Sequence, residues 1–122
     1  LVELACETDF VARNEDFKTL ARDIAMHVTA TNPQYLKADD IPAEAKTTAT
    51  EVFEKEVADK PKAAQEKILA GKLEAYFAEL TLLDQPFIKD TEKTIRDLIE
   101  TMTQKFGERI ELIRFVRFAA GE

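Results

Sequence analysis

The chain has 122 residues, which sets it at one domain, long enough to bury a core without metal or disulfide staples. Its 45% apolar and 34% charged residues suit a globular protein, and a formal net charge of -7 argues against non-specific binding to nucleic acid or an anionic membrane. Three glycines and four prolines exclude collagen-like, propeller and low-complexity classes, and a lone cysteine excludes an internal disulfide and favours a reducing compartment.

No apolar run approaches the roughly 20 residues of a membrane span. The opening, LVELACETDF, has no basic region and carries Glu inside its apolar stretch, unlike a signal peptide. It also starts in mid-strand pattern without an initiator Met, so the expectation is a domain of a longer chain whose first strand has a neighbour outside this sequence.

Residues 1–7 alternate, with Val2, Leu4 and Cys6 on one face and Glu3 and Glu7 on the other, which predicts a half-buried strand. Thr8 or Asp9 is placed to cap a first helical turn, and Asn14 to cap a second helix with Glu15 and Asp16 at its positive end. Phe17, Leu20, Ala21, Ile24 and Val28 then recur at helical spacing as far as Asn32-Pro33. Residues 34–42 form a connector, extended at Tyr35-Leu36. Pro42 opens a helix over about 43–58, and Asp59-Lys60-Pro61 separates it from another reaching Leu80, continuous through Gly71 because its apolar stripe keeps phase.

So short a connector makes the two helices antiparallel. Their thin apolar seam predicts a hairpin over about 43–80 that projects from the body and buries itself mainly against its own partner helix. Residues 82–90 read as irregular, with Phe87 and Ile88 tucked under the domain, and Asp90 or Thr91 as cap of a last helix that Gly107 ends. The tail Arg109–Phe118 reads as a strand with Ile110, Leu112, Val116 and Phe118 on one face and Ile113 and Phe115 on the other. A strand apolar on both faces wants cover on both, and in a small domain a second copy could supply it. The class is α+β: a small antiparallel sheet packed with helices, plus the projecting hairpin.

Little here resembles catalytic machinery. The only histidine, His27, sits at the edge of its helix stripe with no triad context, and reads as a boundary or surface residue. Cys6 reads as a small buried hydrophobe, and one His with one Cys does not make a zinc site. Three glycines are too few for a P-loop or a dinucleotide fingerprint. The acidic residues read as capping or solvated groups, so no cofactor, metal or direct nucleotide site is expected. The odd feature is Thr8-Asp9-Phe10-Val11, where a strand ends, a polar pair turns the chain and a Phe follows at once. In an unbroken helix Phe10 shares the phase of Phe17, Ala21 and Val28 and is core; if Asn14 starts a new helix, Phe10 is free to project as an interface anchor.

CETDFVARNEDF closely resembles a signature of the elongation factor Ts family, and AMHVTATNPQYL, DDIPAE, KPKAAQEKILAGKLEAYFAEL, LLDQPFIKD and ERIELIRFVRF follow in the family's order. The resemblance covers essentially the whole chain, 1–122, as the core or dimerisation domain of the short, single-core form, without the family's N-terminal helical domain. It implies a non-enzymatic guanine-nucleotide exchange factor acting on elongation factor Tu in the bacterial cytoplasm or an organellar matrix. The alternative is a helical adaptor or dimerisation module without effect on a GTPase. In the family the Thr-Asp-Phe turn meets the partner's nucleotide domain, and its Phe disturbs the site that holds magnesium and phosphates. Carried over by motif, Asp9 and Phe10 are those residues, with Thr8 and Val11 shaping the turn. The resemblance also implies a homodimer, for which Ile113, Phe115 and Arg117 are the candidate contacts. Some short members carry a Cys in the last strand, where this chain has Val116.

Overall fold

A computed structural model of the chain describes residues 1–121. Strand β1, Val2–Ala5, pairs antiparallel with the last strand, β4, Glu111–Phe115, so the first and last segments form one two-stranded sheet. Between them come α1 (Asp9–Ala12), α2 (Glu15–Thr31), α3 (Ala43–Glu56), α4 (Lys62–Leu80), a short hairpin of β2 (Pro86–Phe87) and β3 (Asp90–Thr94), and α5 (Ile95–Phe106). This is the expected α+β class.

Helix α2 is the centre of the core. Asn14 Oδ1 accepts from the Asp16 amide at 2.8 Å to start it. Asn32, left-handed at φ 47°, ends it just before Pro33, which cannot continue a helix. Its stripe of Phe17, Leu20, Ile24 and Val28 is buried with Val11, Leu82, Phe87, Ile95, Ile99, Ile110 and Leu112. Val2, Leu4, Cys6, Leu98, Met102 and Phe106 pack against that cluster, which matches the face read for β1.

Helices α3 and α4 stand outside this core. Phe53 meets Tyr76 edge-on at 5.5 Å between centroids, and Glu56 pairs with Lys72 at 3.0 Å. Gln65 Nε2 donates to the Lys60 carbonyl at 2.7 Å. The contacts advance along one helix as they retreat along the other, so the pair is antiparallel. Helix α4 runs unbroken through Gly71, and none of its side chains is fully buried. The hairpin's base is fixed by backbone bonds: the amides of Gln34 and Tyr35 donate to the Leu80 carbonyl at 2.8 and 3.0 Å, and the Leu82 amide donates to Tyr35 at 2.8 Å.

Several expectations change. Helix α5 is capped not by Asp90 or Thr91 but by Thr94: its Oγ1 accepts from the Asp97 amide at 3.2 Å and the Asp97 carboxylate accepts from the Thr94 amide at 3.0 Å. The reason is that residues 86–94 are a β-hairpin rather than irregular, which carries the chain past Asp90 before the helix begins. Within it Phe87 is buried, but Ile88 lies in the turn between the two strands and is exposed.

The final strand is shorter than the expected Arg109–Phe118, and its alternation is interrupted. Glu3 faces Arg114 while Leu4 faces Leu112, so Ile113 is an extra residue, a bulge. The phase slips there: Leu112 is buried and Phe115 packs on the core, while Ile113 and Val116 are exposed. Ile113, Phe115 and Arg117 therefore do not share a face. Arg117, half-buried, donates from Nε to the Thr29 carbonyl at 3.4 Å.

His27, expected at a boundary, is fully buried. Its Nδ1 accepts from the Ile88 amide at 3.3 Å, so Nε2 carries the hydrogen and donates to Gln85 Oε1 at 2.9 Å. Gln85 in turn donates to the Glu79 carbonyl at 2.7 Å and accepts from the Thr31 hydroxyl at 3.0 Å. Desolvation lowers the His27 pKa from 6.5, and the hydrogen bond to Gln85 opposes that in part.

Candidate functional site

The turn after β1 resolves the two possibilities for Phe10. Thr8 is extended, at φ -130° and ψ 153°, and its Oγ1 accepts from the Val11 amide at 3.4 Å, which starts the single turn α1. The turn closes at once: the Arg13 amide donates to the Asp9 carbonyl at 3.0 Å and the Asn14 amide to Val11 at 3.0 Å. Asn14 then caps a separate helix, and the phase that would have placed Phe10 with Phe17 is broken. Val11 takes the inward position at 2% exposure, while Phe10 projects at 78%. Thr8 and Asp9 are exposed beside it. The structure thus brings the four candidate residues into one corner but divides them: Val11 is the anchor, and Asp9 and Phe10 are the presented surface.

Two further residues build this corner. Glu108 Oε1 accepts from the amides of Glu7 and Thr8 at 2.9 and 3.1 Å, and Glu108 Oε2 accepts from the Thr8 hydroxyl at 3.1 Å. Glu7 Oε2 accepts from the Arg109 amide at 3.1 Å. Each segment thus lends a carboxylate to the other's backbone, a charge-assisted pairing stronger than a neutral one. Cys6 Sγ adds a weak bond to the Thr8 carbonyl at 3.2 Å. Reading residues along the chain does not find Glu108, because about a hundred positions separate it from Thr8 and no local pattern joins them.

Among the described residues no group of three or more His, Cys, Asp or Glu side chains is placed to hold a metal ion. What the geometry offers is an apolar ring on a braced turn, flanked by carboxylates. Fold and corner together define an α+β domain with an exposed aromatic ring on a braced turn.

The comparisons with known proteins supply the family. The family model described as "Elongation factor TS" matches residues 18–122. The curated elongation factor Ts of Thermodesulfovibrio yellowstonii is 53% identical over 100% of this chain and 62% of its own length. That of Synechococcus sp. is 50% identical over 100% of this chain and 48% of its own length, and that of Acetivibrio thermocellus 44% over 100% and 58%. The chain belongs to the elongation factor Ts family, and so to the translation elongation factors. It spans 48 to 62% of the length of these three relatives. Among the described residues no helix is long and apolar enough to cross a membrane.

Proposed function

We infer that this chain is the part of a guanine-nucleotide exchange factor that meets elongation factor Tu, with Phe10 as the wedge. The observation that carries the reading is the exposure of Phe10 on a turn whose other apolar residue, Val11, is anchored in the core. An exposed ring on a pre-ordered turn loses little conformational freedom on binding, so most of its burial reaches the complex as affinity. Magnesium bridges nucleotide phosphates to protein oxygens, so a ring that displaces groups near that ion weakens nucleotide binding without touching nucleotide. No bond is made or broken. The factor need only bind the nucleotide-poor state of its partner more tightly, and by linkage GDP or GTP weakens the complex by the same ratio. Such a factor works where translation takes place, in bacterial cytoplasm or an organellar matrix.

The test is displacement of a fluorescent GDP from elongation factor Tu by the full-length protein. Phe10→Ala costs about 2 kcal/mol or more of transition-state contact, a rate loss of about thirtyfold, and leaves the melting midpoint nearly unchanged. Release at the unaltered rate with Phe10→Ala would leave the domain as an adaptor. On the same reading two copies pair across the outer surface of the β1–β4 sheet, where Ile113 and Val116 are exposed. Sedimentation over a dilution series should show a dimer that dissociates; a monomer at high micromolar concentration rules the pairing out.

A further inference from the structure

The turn that carries Phe10 is bonded to a residue about a hundred positions further along the chain. Glu108 follows Gly107, whose left-handed backbone at φ 68° ends α5 and swings the next residue toward the β1 corner. There the Glu108 carboxylate takes three partners: the Glu7 amide at 2.9 Å, the Thr8 amide at 3.1 Å and the Thr8 hydroxyl at 3.1 Å. The hydroxyl has one hydrogen, and giving it to the carboxylate turns the oxygen's lone pairs toward the Val11 amide, which donates to it at 3.4 Å. A donor bonded to a carboxylate is also polarised into a better acceptor. The cap of α1 therefore depends on Glu108 at one remove. A single helical turn does not hold itself together in water, since nucleation is its least favourable step. Phe10, largely in solvent, adds no packing of its own.

We propose that Glu108 is a positioning residue for Phe10: through Thr8 it holds the one-turn helix in the orientation that presents the ring to the partner. The proposal rests on the reading of Phe10 as the exchange wedge. Glu108 itself need not touch the partner.

The experiment compares full-length Phe10→Ala, Glu108→Ala, Glu108→Gln and the double variant Phe10→Ala/Glu108→Ala. Nucleotide release from elongation factor Tu is read alongside amide hydrogen exchange in the free protein. Glu108→Ala slows release about tenfold, the size expected from losing hydrogen bonds to a charged group, and speeds exchange of the Glu7 and Thr8 amides. Glu108→Gln, which keeps one acceptor oxygen, restores part of both. The double variant is no slower than Phe10→Ala alone, because a misdirected turn has no ring left to misdirect. Normal release by Glu108→Gln and Glu108→Ala, with Phe10→Ala slow, overturns the positioning role and leaves the wedge reading intact. Normal release by Phe10→Ala overturns both. Additive losses in the double variant show that Glu108 acts by its own contact with the partner, which also overturns the proposal. A fall in melting midpoint with unaltered release per folded molecule reduces Glu108 to a structural residue.

Discussion

The Phe10 corner and the α3–α4 hairpin solve the problem of order in opposite ways. The corner sits on the main core: Val11, Ile24, Val28, Leu82 and Ile95 are all essentially inaccessible, and a two-stranded sheet and a carboxylate exchange tie the surface turn to them. The hairpin has 19 residues in α4 without one fully buried side chain. Its order comes from Ala49 and Val57, which are buried, from aromatic edges, the Glu56–Lys72 pair, Gln65 over the connecting turn, and the backbone bonds at its base. An exposed ion pair contributes a few tenths of a kcal/mol and an aromatic edge contact about 1 kcal/mol, whereas burial of an aliphatic side chain contributes about 2 kcal/mol. A rigid site needs the first arrangement. The second permits the hairpin to open separately from the body.

The sharpest way to break this contrast is in the core. Ile24→Ala removes a fully buried side chain in the middle of α2 and should cost about 3–4 kcal/mol in urea unfolding, with the corner and body lost together. A loss under about 1 kcal/mol would mean that the body is as loosely held as the hairpin.

A smaller effect comes from His27, whose buried neutral ring joins α2 to the segment leading out of the hairpin. Its native pKa lies below the unfolded value of 6.5, so the unfolded chain binds the proton first. The urea midpoint should hold above pH 6.5, fall as the pH drops from there toward the lowered native value, and stop responding to this group below it. His27→Gln, which bonds without titrating, should flatten that stretch of the profile; an unchanged slope would assign it to other groups.

The smallest effect is expected from Gly71→Ala. A Cβ at this position meets nothing within 4 Å, so the change removes a helix-weakening glycine without a clash. It should add about 0.5–1 kcal/mol to α4, visible as slower amide exchange in the hairpin while the global midpoint barely moves. A matching rise in the global midpoint would show that hairpin and body unfold as one unit.

What could be read along the chain follows from distance in sequence. Helices α2 and α5 and the antiparallel hairpin are written locally, in the spacing of Phe17, Leu20, Ile24 and Val28, in Gly107, and in the break at Asp59-Lys60-Pro61. The residues that decide Phe10 are also local: Thr8 and Asn14 each cap a helix, and two caps six residues apart leave room for one turn only. The features that escaped are those a single segment does not contain. Thr94 and Asp97 form a capping box, yet Asp90 and Thr91 offer equally suitable cap side chains, and only the β2–β3 pairing excludes them. The bulge at Ile113 is a property of two strands together, and it undoes the alternation that puts Ile113 and Phe115 on one face. His27 looked peripheral because its partners, Gln85 and the Ile88 amide, come from another segment.

The pairing of Val2 with Phe115, and of the Thr8 turn with Glu108, has a consequence for the order in which a growing chain acquires its parts. During synthesis β1 emerges before its partner and waits, while α2 and the α3–α4 hairpin, built from near neighbours, form ahead of that pairing. The brace on the corner is absent until Glu108 has left the ribosome, and the strand β1 has no partner until Glu111–Phe115 follows. Closing so long a loop is slow next to helix formation, so the corner is among the last surfaces completed. An interrupted chain that ends inside the hairpin already holds the Phe10 side chain but lacks the brace that aims it.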